Sequence, residues 1–312
     1  MNQARVSDVI IIGGSYAGLS AAMALGRSMR SVLIFDSDNP CNKPTPAAHN
    51  LLGHDGCSPA ELNKISREQV LKYPTVSLRR DLVTDVIQSD GIFEVETSPG
   101  LKYRARKILF ATGISDEMPD IAGFSDCWGI SVLHCPYCHG YEIKGEKTAI
   151  IASGNTAFEF AEMISHWTSN LTVLTNGPAN FSEEQSLALE QNDINVIETT
   201  IDRLEHEKGH LKCVVFTDGA QLEVNAAYAR PFMKQQCDLP ERMGCEFHSI
   251  HIKVDHNQTT SIAGVSAAGD NCSALRSLSN AIAAGGTAGA FINKELIHET
   301  FCKDANRMLS HT

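Results

Sequence analysis

The chain has 312 residues, 43% of them hydrophobic and 20% charged, which suits one large or two moderate domains with a buried core. A formal net charge of -11 argues against nucleic acid as a partner, because a polyanion meets repulsion over most of the surface. No run approaches the ~18 apolar residues of a membrane span, and "MNQARVSDVIIIGG" lacks the apolar core and cleavage site of an export signal, so the reading is cytoplasmic with no membrane partner. Ten cysteines in such a chain are not a disulfide scaffold. Most are expected to be buried small hydrophobes, and only a closely spaced pair invites chemistry.

Short β-rich runs alternate with helical segments, which implies an α/β fold of parallel sheets crossed by helices. Residues 8–12 read as a buried strand that turns at "GGSYAG" into the small-residue helix "AGLSAAMALGRSM". A second strand, 31–35, ends on Asp36. This is a Rossmann-like βαβ unit: a tight turn, a helix N-terminus for a diphosphate, and a carboxylate about 20 residues on for ribose hydroxyls. The candidate contacts are Gly13, Gly14, Ser15, Ala17, Gly18 and Asp36. Ser15 stands where the middle glycine of the motif belongs and crowds the phosphate approach. A strand–turn–helix with no ligand remains the alternative.

Further along, "KILFATG" (107–113) reads as a strand ending in a small-residue turn. A second βαβ unit follows: strand 148–151, the turn "ASGNTA", the helix "FEFAEMISHW" and strand 171–175. Its turn has Ala152 in place of the first glycine, and residues 148–202 contain no Lys or Arg. A 2'-phosphate brought there would meet only acidic ionised side chains, and a bidentate arginine fork is what such a phosphate wants. No carboxylate ends the strand either; Asn176 is the nearest polar candidate. "TSIAGVSAAGD" (260–270) and a glycine-rich helix, "SNAIAAGGTAGAFINKEL", complete the chain before its tail.

Between the two βαβ units lies "HCPYCHGYE", residues 134–142. Cys-x-x-Cys-His matches a haem c attachment site, but that chemistry needs export. Cys135, Cys138 and a flanking His have zinc-ligand spacing, yet the other cysteines are scattered and offer no second pair. The redox disulfide reading assigns no metal. It fits a pair at a helix start, where backbone N–H groups favour a thiolate and Pro136 suits the first turn. His139, which titrates near neutrality, then lends or takes a proton; a surface residue without a role is the alternative.

These motifs, in this order, resemble the low-molecular-weight thioredoxin reductases among the two-dinucleotide flavoprotein disulfide reductases. The resemblance spans nearly the whole chain and implies two Rossmann-like domains: a discontinuous FAD domain, 1–116 and 240–312, and an inserted NAD(P)H-type domain, 117–239, that carries the disulfide. It implies that Ala111, Thr112 and Gly113 close the FAD site together with Gly269 and Asp270. It also implies that Cys138 faces the flavin, Cys135 is the interchange thiol, and members are homodimers. The family has Asp where this chain has His139. "CPYCHGYE" is similar to the branch containing gliotoxin- and holomycin-type dithiol oxidases.

By the same resemblance His49 and Asn50 lie in a loop that passes the flavin. Asn280 and Ala281 stand where the family has Gln-Ala beside it, with Ser279 replacing an Arg. Phe301 covers the flavin or belongs to a solvated tail, where Cys302 is idle or relays electrons. The expected function is FAD-dependent disulfide oxidoreduction with a thioredoxin-like protein or a small dithiol or disulfide. The donor and acceptor are unassigned and NAD(P)H use is in doubt. The alternatives are an oxygen-dependent dithiol oxidase and a non-enzymatic flavin redox sensor.

Overall fold

The computed structural model describes residues 6–309, with side chains to 302. Two compact units form: Met1–Cys41, Ala60–Ser115 and Met233–Thr312 in the first, Asn42–Pro59 and Asp116–Phe232 in the second. The sequence places the return junction near 240 and gives all of 1–116 to the first unit. The structure returns at Met233, and Asn42–Pro59 groups with the second unit. That loop is closed on itself by the Ala48–Cys57 bridge and packs on Gly129, where a Cβ would meet Thr45 Oγ1 at 3.1 Å.

In the first unit β1 (Ser7–Ile12), α1 (Tyr16–Arg27) and β2 (Val32–Asp36) are followed by α2 (Pro59–Val70), β3 (Val76–Arg80), the hairpin β4 (Val83–Ser89) and β5 (Ile92–Thr97), and β6 (Lys102–Phe110). β3, β2, β1 and β6 lie side by side and parallel, and the hairpin adds antiparallel to the first half of β6. β2 is buried along its whole length and β1 from Val9 on, which is why both read as unbroken apolar runs rather than alternating ones.

β7 (Ile114–Glu117) spans the boundary in sequence, and the second unit runs on through α3 (Phe124–Cys127), β8 (Val132–Leu133), α4 (Pro136–His139), β9 (Thr148–Ile151), α5 (Gly154–Ile164), β10 (Leu171–Leu174), α6 (Glu183–Gln191) and β11 (Asn195–Ile197). An antiparallel layer of β12 (Ile201–Glu207), β13 (His210–Phe216) and β14 (Gln221–Glu223) precedes β15 (Ala226–Ala229). Its sheet order, β11-β10-β9-β15-β8, repeats the β3-β2-β1-β6 pattern of the first unit. The turns correspond as well. The Gly13 N–H donates to Phe35 O at 2.8 Å, and the Ala152 N–H donates to Leu174 O at 3.2 Å.

The chain then passes through β16 (Phe232–Gln235), α7 (Leu239–Arg242), β17 (Phe247–His248) and β18 (His251–Ile252) to β19 (Val265–Ala267), which pairs parallel with the second half of β6. α8 (Leu278–Leu309) ends the fold. Residues 298–309, expected to run on past the last helix, are its continuation. Lys107 explains why. Its ammonium lies 2.8 Å from Glu295 and 2.7 Å from Glu299, and Arg106 reaches Glu299 at 2.8 Å. Burial alone pulls the Lys107 ammonium down, but the two carboxylates outweigh it and hold it above its ordinary range. Phe301 and Cys302 are exposed on this helix, with Cys302 Sγ 3.6 Å from the His298 ring.

α8 approaches α1 backbone to backbone. A Cβ at Gly285 would sit 2.1 Å from Ala17 O, and one at Gly289 would sit 2.7 Å from Ala21 O. At Gly286 the nearest atom is Ser20 Oγ, at 3.4 Å. Neighbouring glycines therefore predict opposite outcomes. Gly286→Ala gains up to about 1 kcal/mol of helix propensity and holds or raises the melting temperature. Gly285→Ala gains the same propensity but forces the helices apart, for a net loss of roughly 1–3 kcal/mol in thermal or denaturant unfolding.

Candidate dinucleotide and disulfide sites

In the first unit the predicted dinucleotide motifs meet at one end of β1. Gly13 has φ +110, and a Cβ there would strike Ala111 O at 2.1 Å. A Cβ on Gly14 would lie 2.7 Å from Asp36 Cβ, and one on Gly18 would lie 1.9 Å from Gly13 O. Each glycine is fixed by a close approach of chain. Ser15 is the N-cap residue of α1, and its hydroxyl does not turn back to cap the helix. The first turn of α1 carries no acidic side chain, so its N–H groups and dipole favour an anion. Asp36 is buried at the end of β2, ion-paired with Arg67, and accepts the Asp38 N–H at 3.1 Å.

The distant motifs join the same face. The Ala111 N–H donates to Ile12 O at 2.8 Å, docking the Ala111-Thr112-Gly113 turn beside Gly13. Gly269, at φ +96, leaves 3.0 Å between its absent Cβ and the Ala17 Cβ. Asp270 lies 3.8 Å from Arg276 Nε. Asn280 donates to Ser273 Oγ at 3.1 Å and to Leu275 O at 3.0 Å, so its amide shapes the 273–277 loop. Ala281 packs into the α1–α8 core. The donor set suits a dinucleotide: an α1 first turn without acidic side chains for an anion, and the carboxylates of Asp36 and Asp270 for hydroxyl groups.

Asn271 escaped the sequence reading. It is fully buried, and its Nδ2 donates to Phe110 O at 2.9 Å and to Thr112 Oγ1 at 3.3 Å. Its backbone carbonyl accepts from the Ile252 N–H at 2.9 Å and from Gln235 Nε2 at 2.8 Å. One side chain thus ties the turn after β6 to the Gly269-Asp270 turn. Beside it burial and the Asp270 charge push the Cys272 thiol up to about 12, so that thiol stays protonated.

In the second unit Cys135 and Cys138 are joined as a disulfide, with Cα atoms 5.3 Å apart. Cys135 is the N-cap of α4 and Pro136 opens the helix, as the spacing implies. The helix is a single turn, however, so little dipole reaches Cys135. Burial first, then the charge of His49, pulls the His139 imidazole below its ordinary range; Glu142 opposes them. His139 is therefore neutral at rest near pH 7. His49 and Asn50, expected in a loop beside the flavin, are carried by the second unit. His49 Nε2 is 3.6 Å from Glu142, its Nδ1 is 3.7 Å from Asp55, and the Asn50 N–H donates to Asp55 at 2.7 Å. No group of three or more His, Cys, Asp or Glu among the described residues is arranged to hold a metal. Of the eight other cysteines, Cys127, Cys213 and Cys245 are buried and the rest are half-buried or exposed, fewer buried than composition implied.

The second βαβ turn is closed by the chain itself. The Gly154 N–H, first in α5, donates to Ala179 O at 2.7 Å, and the Ala179 N–H is held by Glu198 at 2.7 Å. Asn176 spends its Oδ1 on the Ile201 N–H at 2.7 Å. Arg230, outside the cation-free stretch, reaches α5 but lies over the Phe160 ring at 4.9 Å and 3.9 Å from Glu159.

Residues 7–285 match the family model of the pyridine nucleotide-disulphide oxidoreductases. The chain belongs to this family. The thioredoxin reductase tcpT of Claviceps purpurea is 31% identical over 312 residues, covering 95% of this chain and 96% of its own. An oxidoreductase structure from Agrobacterium tumefaciens has a TM-score of 0.88 at 34% identity, over 94% of this chain and 99% of that one. The structure of HlmI gives 0.92 at 29% identity, over 97% and 96%. The protein is accordingly a thioredoxin reductase-like disulfide oxidoreductase of two Rossmann-like domains, and its family implies FAD. No helix among the described residues is long and apolar enough to cross a membrane.

If Asn271 holds the two turns in register for the cofactor, Asn271→Leu removes two buried hydrogen bonds. FAD then binds about tenfold or more weakly, measured by ultrafiltration of the yellow protein and titration of the apoprotein with FAD.

Proposed function

We propose that this oxidoreductase oxidises a dithiol through Cys135–Cys138 and does not draw its electrons from NADPH. The observation that carries the reading is the self-closed turn of the second βαβ unit. The Gly154 N–H, which a nucleotide diphosphate would need, is taken by Ala179 O, and no Lys or Arg lies between residues 148 and 202. The competing reading, a reductase fed by a nicotinamide or a protein donor, is favoured by the relatives named thioredoxin reductase and by the cation at Arg230.

In the reading preferred here a substrate thiol gives its proton to His139 and attacks Cys135 Sγ. The S–S bond breaks, and Cys138 leaves as a thiolate that takes the proton back. The second substrate thiol then attacks the mixed disulfide, so the substrate departs oxidised and the cysteine pair remains as two thiols. Bound FAD supplies the two-electron couple that restores the pair. Gly13, Gly14, Ser15, Ala17 and Gly18 would hold its diphosphate and Asp36 a ribose. Ala111, Thr112, Gly113, Gly269, Asp270, Asn280 and Ala281 would line the rest. His49 and Asn50 are assigned to the disulfide site. The substrate is a small dithiol or a thioredoxin-like protein, oxygen is the proposed acceptor, and the protein works as a homodimer.

Anaerobic mixing tests the reading. A dithiol such as dithiothreitol bleaches the flavin band within the mixing experiment, while NADPH and NADH leave it intact; rapid bleaching by NADPH would sink the proposal. His139→Ala slows dithiol-driven bleaching by about 10²–10⁴-fold and removes the acidic limb of its pH profile, which in the native protein rises through a midpoint below the ordinary histidine value.

A further inference from the structure

The carboxylate that ends β2 does not stand alone: α2 brings a cation against it. We propose that this cation, Arg67, is a positioning residue that aims the Asp36 carboxylate at the ribose hydroxyls of an adenine dinucleotide. The inference rests on the reading of Asp36 as the ribose contact and extends it to a residue outside the βαβ motif.

Three contacts fix the carboxylate. Its Oδ1 accepts the Asp38 N–H at 3.1 Å, and its Oδ2 is ion-paired with Arg67 Nη2. Oδ2 also lies over Gly14, 2.9 Å from where a Cβ would stand. The same Arg67 Nη2 reaches Asp38 Oδ1 at 3.3 Å, so one guanidinium holds both carboxylates of the turn that leaves β2. Asp38 takes the left-handed conformation in that turn, at φ +61. α2 docks through Leu62 and Val70, both buried, and carries Arg67 in its last turn. Gly14, Asp36, Asp38 and Arg67 all belong to the first unit.

As a device for stability the pair is a poor one. A buried ion pair contributes little net stability, and the Arg67 Nε is buried with no hydrogen-bond partner. What the guanidinium secures is direction. A carboxylate offers about four acceptor sites on a broad terminal torsion. Anchoring one site on each oxygen sets the carboxylate plane and leaves the remaining sites for hydroxyl donors. Without Arg67 only the Asp38 N–H holds the group, and a ribose then has to freeze a freer rotor as it binds.

Binding to the apoprotein separates this aim from mere folding. FAD is titrated directly, and ADP and 2',3'-dideoxy-ADP are each made to displace it, followed by flavin fluorescence. Native apoprotein prefers ADP to the dideoxy compound by about tenfold or more, because only ADP has hydroxyls to donate. In Arg67→Met, FAD and ADP each weaken by about tenfold while the dideoxy compound binds as before, so the preference disappears. Arg67→Lys keeps a cation without the planar fork and restores part of it. A folded Arg67→Met that keeps the preference overturns the proposal. Equal weakening of ADP and the dideoxy compound does so too, since it marks a loss of fold rather than of aim. Asp36→Asn tells the two levels apart. A preference lost in Asp36→Asn but kept in Arg67→Met overturns the role of Arg67 alone, whereas a native protein with no preference sinks the ribose contact at Asp36 as well.

Discussion

The first unit depends on places where one stretch of backbone lies directly on another. Gly13 lies against Ala111 O, Gly18 against Gly13 O, and Gly285 against Ala17 O, each with no room for a Cβ. Close packing leaves no slack for even one methyl group at such points. These contacts bring segments from both ends of the chain to the same end of β1. Motifs far apart in sequence are thereby brought together in space. Asn271 does with a side chain what the glycines do by lacking one, joining the turn after β6 to the Gly269-Asp270 turn.

The second unit keeps the plan of the first and changes its use. Its strand order and its turn-to-strand hydrogen bond are the same, so the fold needs neither a glycine at Ala152 nor a ligand at α5. What has changed is the occupant of the helix N-terminus. In α1 the first turn carries no acidic side chain; in α5 the Ala179 carbonyl takes the first N–H. A helix end must satisfy its orphan N–H groups somehow. A loop that does so from within the chain stabilises the unit and competes with a phosphate for the same donor.

Local pattern made much of this legible. Unbroken apolar strands, small-residue helices and the Gly13–Gly18 turn are written in neighbouring residues, and so is the pairing of Cys135 with Cys138 at a proline-led helix start. What stayed hidden depends on contacts between distant residues. Nothing near His49 announces that its loop packs on Gly129, since that contact is fixed by shape. The reach of α8 depends on carboxylates at Glu295 and Glu299 meeting Lys107, far upstream. The absence of cations in residues 148–202 was visible in sequence, but the carbonyl that fills the turn was not. Asn271 carried one weak signal, an amide directly after Gly-Asp, and only its burial shows what the amide is for.

The brevity of α4 has a chemical consequence. Thiol–disulfide exchange conserves protons overall, since the proton leaving the attacking thiol ends on the departing one. The site needs a group that holds a proton briefly and is empty at the start. A long helix could favour the thiolates directly through its dipole, but a single turn supplies little. A carboxylate beside the cysteines, whose protonation range lies well below neutral pH, holds such a proton weakly. An imidazole has an ordinary range nearer neutrality, and it is empty at the start where burial keeps it neutral, as it does His139. In the proposed reading the histidine after the second cysteine therefore supplies the proton acceptor that a one-turn helix does not.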